Sequence, residues 1–246
     1  MNEPFRKKYE VHSYEVDASG RAQIHALLNY LQDAAGDHAG SLGLGVTDLM
    51  RNRLTWLLSR YHIKVVRYPA HGQRITISTW PSGKKGIFAL RDFEVSDEEG
   101  HPVLTATTSW VLIDLDSKQP IRLNDFVPDD LTYNKRAIAD EFLPLPELEK
   151  AERELSLPVL MKDLDFNRHV NNVVYIQWAL EAVPPDILTA LRPVDIEVSY
   201  RAEAFYGDRI VAKVQEVRGP SPRAFLHQIS RASDGTELTR LRTAWG

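Results

Sequence analysis

The chain has 246 residues, 43% hydrophobic and 26% charged, with a net charge of −4 and no cysteine. Without cysteine there is no disulfide framework, no thiolate zinc site and no cysteine-based acyl transfer. The small net charge argues against a general nucleic-acid binder, and no apolar run approaches the roughly 18 to 20 residues of a membrane span.

The eight histidines are scattered, with no His-Glu-x-x-His pair, so neither a metal nor another cofactor is expected. Met1 to Glu10 carries basic residues with no apolar stretch behind them. It does not read as a secretory signal, and a cytoplasmic protein with no membrane partner is expected.

Along the chain, Ile24, Leu27, Leu28 and Leu31 have helical spacing, and Gly40, Gly43 and Gly45 supply a break. Four runs follow that read as antiparallel strands: Trp56 to Val66, Arg74 to Trp80, Phe88 to Val95 and Leu104 to Leu115. Residues 129–155, with Pro144, Pro146 and many charges, read as a linker with a short helix at Glu147 to Arg153. The order then repeats: a helix at Val173 to Val183, and strands at Val194 to Arg201, Arg209 to Val217, Ala224 to Ala232 and Leu238 to Trp245. The expected domains are 1–128 and 156–246.

A shift of 148 pairs Asp17 with Asp165, Ile24 with Asn172, Leu28 with Ile176 and Tyr30 with Trp178. A shift of 135 pairs Gly72, Arg74 and Ile75 with Gly207, Arg209 and Ile210, and Trp110 with Trp245. The register change of 13 is expected in a longer helix-to-strand loop of the first copy. Such half-chain self-similarity predicts two related α+β units in tandem.

The same shifts show where chemistry can reside. His169 falls opposite Arg21, Asn167 opposite Ser19 and Glu203 opposite Tyr68, so a full set of polar groups exists only in the second copy. Asp165, Asn167 and His169 alternate, and in an extended segment their side chains leave the same face. Asn171 and Asn172 suit a helix start, whose free N–H groups can stabilise an oxyanion. Glu203 lies 34 residues after His169, at a strand end. Asp and Asn before a helix also serve as plain caps, and Glu203 beside Arg201 can be a solvated charge. The combination of all four in one copy points to a site.

The stretch Asp165-Phe-Asn-Arg-His-Val-Asn-Asn-Val-Val-Tyr-Ile-Gln-Trp-Ala-Leu-Glu-Ala, with Ile196-Glu-Val-Ser-Tyr-Arg-Ala-Glu203 downstream, resembles the plant-type and bacterial acyl-ACP thioesterases. Thr55-Trp56-Leu-Leu-Ser-Arg60 and Arg67-Tyr-Pro69 extend the likeness over nearly the whole chain. The resemblance implies two tandem hotdog folds, each a long helix wrapped by an antiparallel sheet, forming an intramolecular pseudo-dimer. This leaves room for a homodimer. It implies hydrolysis of fatty acyl-ACP, with Asp165, Asn167, His169 and Glu203 as the catalytic set. In that set Glu203 activates water, His169 shares the proton traffic, Asn167 with a backbone N–H holds the carbonyl, and Asp165 orients its neighbours.

Many plant members carry cysteine where this chain has Ala204, which argues against a cysteine-dependent mechanism here. No plant transit peptide is expected, as for a bacterial cytosolic enzyme. An apolar slot for the acyl chain is implied in the first copy, with Leu28, Leu31 and Trp56 as candidates. The implied partner is an acidic acyl carrier protein presenting its phosphopantetheine thioester. Arg6-Lys7-Lys8, Lys84-Lys85, Lys135-Arg136, Lys162 and Arg168 are candidate contacts. An acyl-CoA thioesterase and a non-catalytic acyl-binding hotdog protein are the alternative readings. A serine hydrolase is not among them, for no Gly-x-Ser-x-Gly elbow is present.

Overall fold

The computed structural model describes residues 3–165, 167–219 and 222–246. The chain divides into two compact units, Met1–Glu141 and Phe142–Gly246.

The first unit contains β1 (Phe5–Glu10), α1 (Ile24–Ser41), α2 (Val46–Arg51), β2 (Leu54–Val65), β3 (Arg74–Lys85), β4 (Phe88–Asp97) and β5 (Pro102–Asp114). Its strands form an antiparallel sheet in the order β1-β3-β4-β5-β2. Helix α1 buries Ile24, Leu27, Leu28, Leu31, Ala34 and Ala35, the one-sided stripe that its spacing predicts. Leu28 and Leu31 have no exposed surface, and full burial of each such side chain contributes about 1.5 to 3 kcal/mol.

The second unit contains β6 (Arg153–Pro158), α3 (Asn172–Glu181), α4 (Pro185–Ala190), β7 (Pro193–Tyr200), β8 (Arg209–Val217), β9 (Arg223–Arg231) and β10 (Glu237–Trp245). Its antiparallel order is β6-β8-β9-β10-β7, strand for strand the order of the first unit.

The two shifts hold in detail. β1 and β6 are 148 residues apart, as are the starts of α1 and α3 and the bridges Val16–Ala22 and Leu164–Val170. The starts of β3 and β8, β4 and β9, and β5 and β10 are each 135 apart.

Several sequence expectations are corrected. Helix α1 runs to Ser41, so Gly40 lies inside it and the break comes at Gly43, whose φ of +69° suits a residue without Cβ. With 18 residues in α1 and 10 in α3, most of the extra 13 residues lengthen the helix rather than the loop after it. No helix forms at Glu147 to Arg153. The Glu149 N–H donates to the Gln215 side chain and Glu152 N–H to the Val214 carbonyl, which holds this segment extended, and Arg153 begins β6. β1 and β6 were not anticipated, since both are edge strands with charged residues along them.

Residues 129–155, expected as a linker, are fastened to the two units. Trp80 Nε1 donates to the Lys135 carbonyl at 2.7 Å, and Asp92 accepts from Ala137 N–H and Arg136 Nε, both at 3.0 Å. Beyond the division, Arg240 Nη1 donates to the Leu145 carbonyl at 3.0 Å and Arg240 Nη2 meets Glu147 at the same distance. Among the described residues no helix is long and apolar enough to cross a membrane.

Candidate active site

The loop before α3 is a tight turn closed by the bridge Leu164–Val170. Asp165 N–H donates to the His169 carbonyl at 2.7 Å, and Asp165 Oδ1 accepts the backbone N–H of Asn167 at 2.8 Å and of His169 at 3.2 Å. The predicted extended segment with alternating faces is therefore not what brings these residues together. Arg168 at the turn has φ of +63°, which reverses the chain. Phe166, part of the motif, lies outside the described residues. Asp165 holds the backbone of Asn167 and His169, and so aims both side chains indirectly.

Asn171 caps α3, its side-chain oxygen accepting Val173 N–H at 3.0 Å. The N–H groups of residues 167 to 171 are each hydrogen-bonded within the loop or to neighbouring segments. Asn172 N–H makes no such bond among the described residues, which leaves it as the free donor at the helix entry.

Glu203 comes from the loop between β7 and β8. Val170 N–H donates to the Ala204 carbonyl at 3.2 Å, which joins this loop to the turn at the residue after His169. The side chains then meet: His169 Nδ1 lies 2.9 Å from Glu203 Oε1. Both are half-exposed, at 38% and 42%, so the pair is open to solvent and to a substrate. The Phe205 ring stands edge-on to His169 with centroids 5.3 Å apart. Asn167 is half-buried in the same turn. Thus all four predicted polar residues belong to one pair of joined loops.

The acyl-slot candidates lie in the first unit. Leu28 and Leu31 are fully buried on α1. Trp56 on β2 is half-buried, donates its indole N–H to the Leu44 carbonyl at 3.2 Å and packs against the buried cluster of Leu49, Leu54, Leu112, Leu123 and Val127.

The basic clusters sort clearly. Lys7 pairs with Asp33 and Asp37 at 2.6 Å, Lys135 with Glu94 at 2.6 Å and Arg136 with Asp92 at 3.0 Å; Lys85 pairs with Glu141, and Lys84 binds Asn124 and the Val127 carbonyl. Lys162 and Arg168, beside the site, are exposed and form no ion pair among the described residues.

Two residues at the site were missed by sequence reasoning. Tyr175, on α3 and 3% exposed, accepts Ala204 N–H through its hydroxyl at 2.8 Å. Burial pushes the pKa of this hydroxyl up, and the nearby Glu203 charge adds to the rise while Ala204 N–H opposes it. Arg231, the last residue of β9, donates from Nη2 to the Glu203 carbonyl at 2.7 Å. The shifts set them against Leu27 and Ser96, a contrast that was available in the sequence.

Comparison with known proteins agrees with this arrangement. Residues 2–131 match the family model of the acyl-ACP thioesterase N-terminal domain, and residues 147–246 that of the C-terminal domain. The chain is 29% identical to oleoyl-acyl carrier protein thioesterase 1 of Arabidopsis thaliana, over 98% of this chain and 75% of that one. It is 30% identical to palmitoyl-acyl carrier protein thioesterase of Cuphea hookeriana, again over 98% of this chain but only 62% of the relative.

Among solved structures it matches 12:0-ACP thioesterase from Umbellularia californica with a TM-score of 0.89 and 26% identity, covering 98% of this chain and 93% of that one. It matches an acyl-ACP thioesterase from Bacteroides thetaiotaomicron with a TM-score of 0.87 and 25% identity, covering 98% and 97%. With family models matching nearly its whole length, both units of hotdog type and the implied residues in one place, the chain belongs to the acyl-ACP thioesterase family.

Proposed function

We propose that this protein hydrolyses fatty acyl-ACP to free fatty acid and carrier protein, using the joined loops of its second unit. The observation that carries the reading is the 2.9 Å contact between His169 Nδ1 and Glu203 Oε1 at a half-exposed helix entry. A thioester carbonyl needs a base for the attacking water and donors for the oxygen that gains charge. Glu203 takes the proton of the water. His169, with Nδ1 turned to Glu203, has Nε2 left to share that proton and pass it on. The hydroxide adds to the carbonyl carbon, and the oxyanion faces the Asn167 amide and the free N–H of Asn172 at the N-terminus of α3. Collapse breaks the C–S bond, and the proton returns to the departing phosphopantetheine thiolate. Asp165 serves by holding the turn.

The carrier follows from the charges around the site. Asp163 accepts Leu160 N–H, Asp165 the N–H groups of the turn, and Asp208 the Phe205 N–H and Arg231. These acids are turned onto their own backbone, while Lys162 and Arg168 stand in solvent and Leu160, Met161, Phe205 and Tyr206 are exposed beside them. A cationic rim with an apolar floor suits an acidic protein carrier. The acyl chain is taken by the first unit, with Leu28, Leu31 and Trp56 at its slot, and the cytoplasm is the compartment of action.

Purified protein given the same acyl group on ACP and on CoA, over a series of chain lengths, tests this. Faster release of fatty acid from ACP supports it, and K162E/R168E should raise KM for acyl-ACP more than for acyl-CoA. Preference for CoA makes the protein an acyl-CoA thioesterase, and no release from either makes it a binding module.

A further inference from the structure

Glu203 does not sit on a strand. β7 ends at Tyr200 and β8 begins at Arg209; the Arg201 and Ala202 N–H groups still donate to the Leu238 carbonyl of β10 at 2.9 and 3.1 Å, but no sheet ladder reaches Glu203 to Tyr206. A base that must stay within hydrogen-bond reach of a water and of His169 needs its backbone held by other means.

Three contacts around Glu203 do this. The carbonyl of Glu203 accepts Arg231 Nη2 at 2.7 Å, the N–H of Ala204 donates to the Tyr175 hydroxyl at 2.8 Å, and the carbonyl of Ala204 accepts Val170 N–H at 3.2 Å. Arg231 extends the hold, for its Nε donates to Asp208 Oδ2 at 3.2 Å, and the same oxygen accepts Phe205 N–H at 3.0 Å. Asp234 in turn fixes Arg231 Nη1 at 2.8 Å.

The first unit shows which contacts belong to the scaffold. There Ala22 N–H donates to the Pro69 carbonyl at 2.8 Å, the counterpart of the Val170–Ala204 bond. Gln73 accepts Ala70 N–H at 3.2 Å, the counterpart of the cap by Asp208. The Tyr175 contact has no equivalent, because Leu27 stands for Tyr175 and Pro69 has no N–H to give. The Tyr68 carbonyl does accept a guanidinium, but at 3.3 Å from Arg21 Nη1 in the turn, the position of His169, while Ser96 stands for Arg231. In the first unit Tyr68 also replaces the carboxylate. Where the carboxylate occurs, the hydroxyl is added and the guanidinium comes from β9 instead of from the turn, which leaves the turn position to His169.

We propose that Tyr175 and Arg231 are positioning residues for hydrolysis, which hold the backbone on either side of the peptide bond Glu203–Ala204 so that the carboxylate stays against His169. This rests on the reading of Glu203 as the base. Tyr175 places a buried hydroxyl on an otherwise apolar helix face, and Ala204 N–H is the partner that compensates its burial. Arg231 bridges a carbonyl and two carboxylates, a geometry that its planar fork allows and a lysine cannot reproduce in full.

The test is Tyr175→Phe, Arg231→Met and Arg231→Lys, each in the wild-type protein and in Glu203→Gln, with steady-state hydrolysis of acyl-ACP and thermal unfolding measured for all. In the wild-type background Y175F and R231M should lower kcat about 10- to 100-fold with KM within about twofold, because a small misplacement of a reacting group costs that much. R231K should recover part of the loss. In the E203Q background the same substitutions should change the residual rate by less than about twofold, since groups that act through one residue are not additive.

Equal fold losses in both backgrounds would mark general support of the fold and overturn the proposal, as would wild-type kcat in both Y175F and R231M. If Y175F does not fold, the two Arg231 variants decide on the same criteria. Glu203→Gln at the wild-type rate removes the assignment of the base, and this inference with it, whereas an impaired E203Q beside a fully active Y175F and R231M removes this inference alone.

Discussion

Asp17 and Asp165, 148 residues apart, make the same four hydrogen bonds. Each Oδ1 accepts the N–H groups two and four residues on: Ser19 at 2.9 Å and Arg21 at 3.3 Å in the first unit, Asn167 at 2.8 Å and His169 at 3.2 Å in the second. Each backbone N–H donates to the carbonyl four residues on, and each carbonyl accepts the N–H three residues on, which belongs to Gly20 or Arg168. Since Asp17 does this with no catalytic neighbours, the carboxylate of Asp165 is accounted for by the turn.

Replacing either aspartate by alanine should therefore lower stability by a similar amount, about 1 to 3 kcal/mol for a part-buried charged acceptor with two N–H donors. The rates should separate the two. D165A should lose hydrolysis at temperatures well below its unfolding midpoint, because His169 and Asn167 lose their frame, while D17A keeps a near-normal kcat. Denaturant unfolding alongside kcat/KM checks both halves. Equal activity in the two variants would mean that the turn does not aim the site.

Asp92 on β4 is fully buried and pairs with Arg136 Nε at 3.0 Å while also accepting Ala137 N–H. Removal of one partner from such a pair leaves a charge without compensation, so D92A should cost about 3 to 5 kcal/mol. It should also release the segment around Arg136, seen as faster proteolytic cleavage there under native conditions. A change below about 1 kcal/mol would show that water replaces the carboxylate readily.

His227 on β9 is fully buried, and burial lowers its pKa to about 3. Burial and the neighbouring Arg91 likewise lower His38 to about 4. A histidine in the unfolded chain titrates near 6.5, so below that pH the unfolded state binds protons that the folded state refuses. Stability should hold above about pH 6.5 and fall as the pH drops toward 3. Replacing His227 by Gln should flatten that acid slope between pH 6.5 and pH 3, as read from unfolding midpoints in a pH series. An unchanged slope would place the acid sensitivity in other groups.

Much of this was legible in the chain because the informative signals are local. β8 is found from Arg209 to Val217 as expected, bounded by Gly207, and Asn171 marks the start of α3 as a capping residue should. The edge strands were not legible: Phe-Arg-Lys-Lys-Tyr-Glu and Arg-Glu-Leu-Ser-Leu-Pro lack the apolar run of a central strand, and only pairing with β3 and β8 makes them strands. The basic clusters of the first unit misled for a similar reason, since Lys7 and Lys135 find their acids 26 and 41 residues away. Comparing the copies singled out the four polar residues of the candidate site, and the structure brings them into one pair of joined loops. The geometry of the site was not legible, for the meeting of His169 with Glu203 depends on a bond between Val170 and Ala204 that no local pattern encodes.

The central claim is that Glu203, held against His169, activates the hydrolytic water. The most direct measurement is the single-turnover rate of fatty acid release from acyl-ACP by Glu203→Gln, an isosteric change that removes the base. The account predicts a fall of about 10²- to 10⁴-fold with an unfolding midpoint close to wild type. A rate within about threefold of wild type would contradict it.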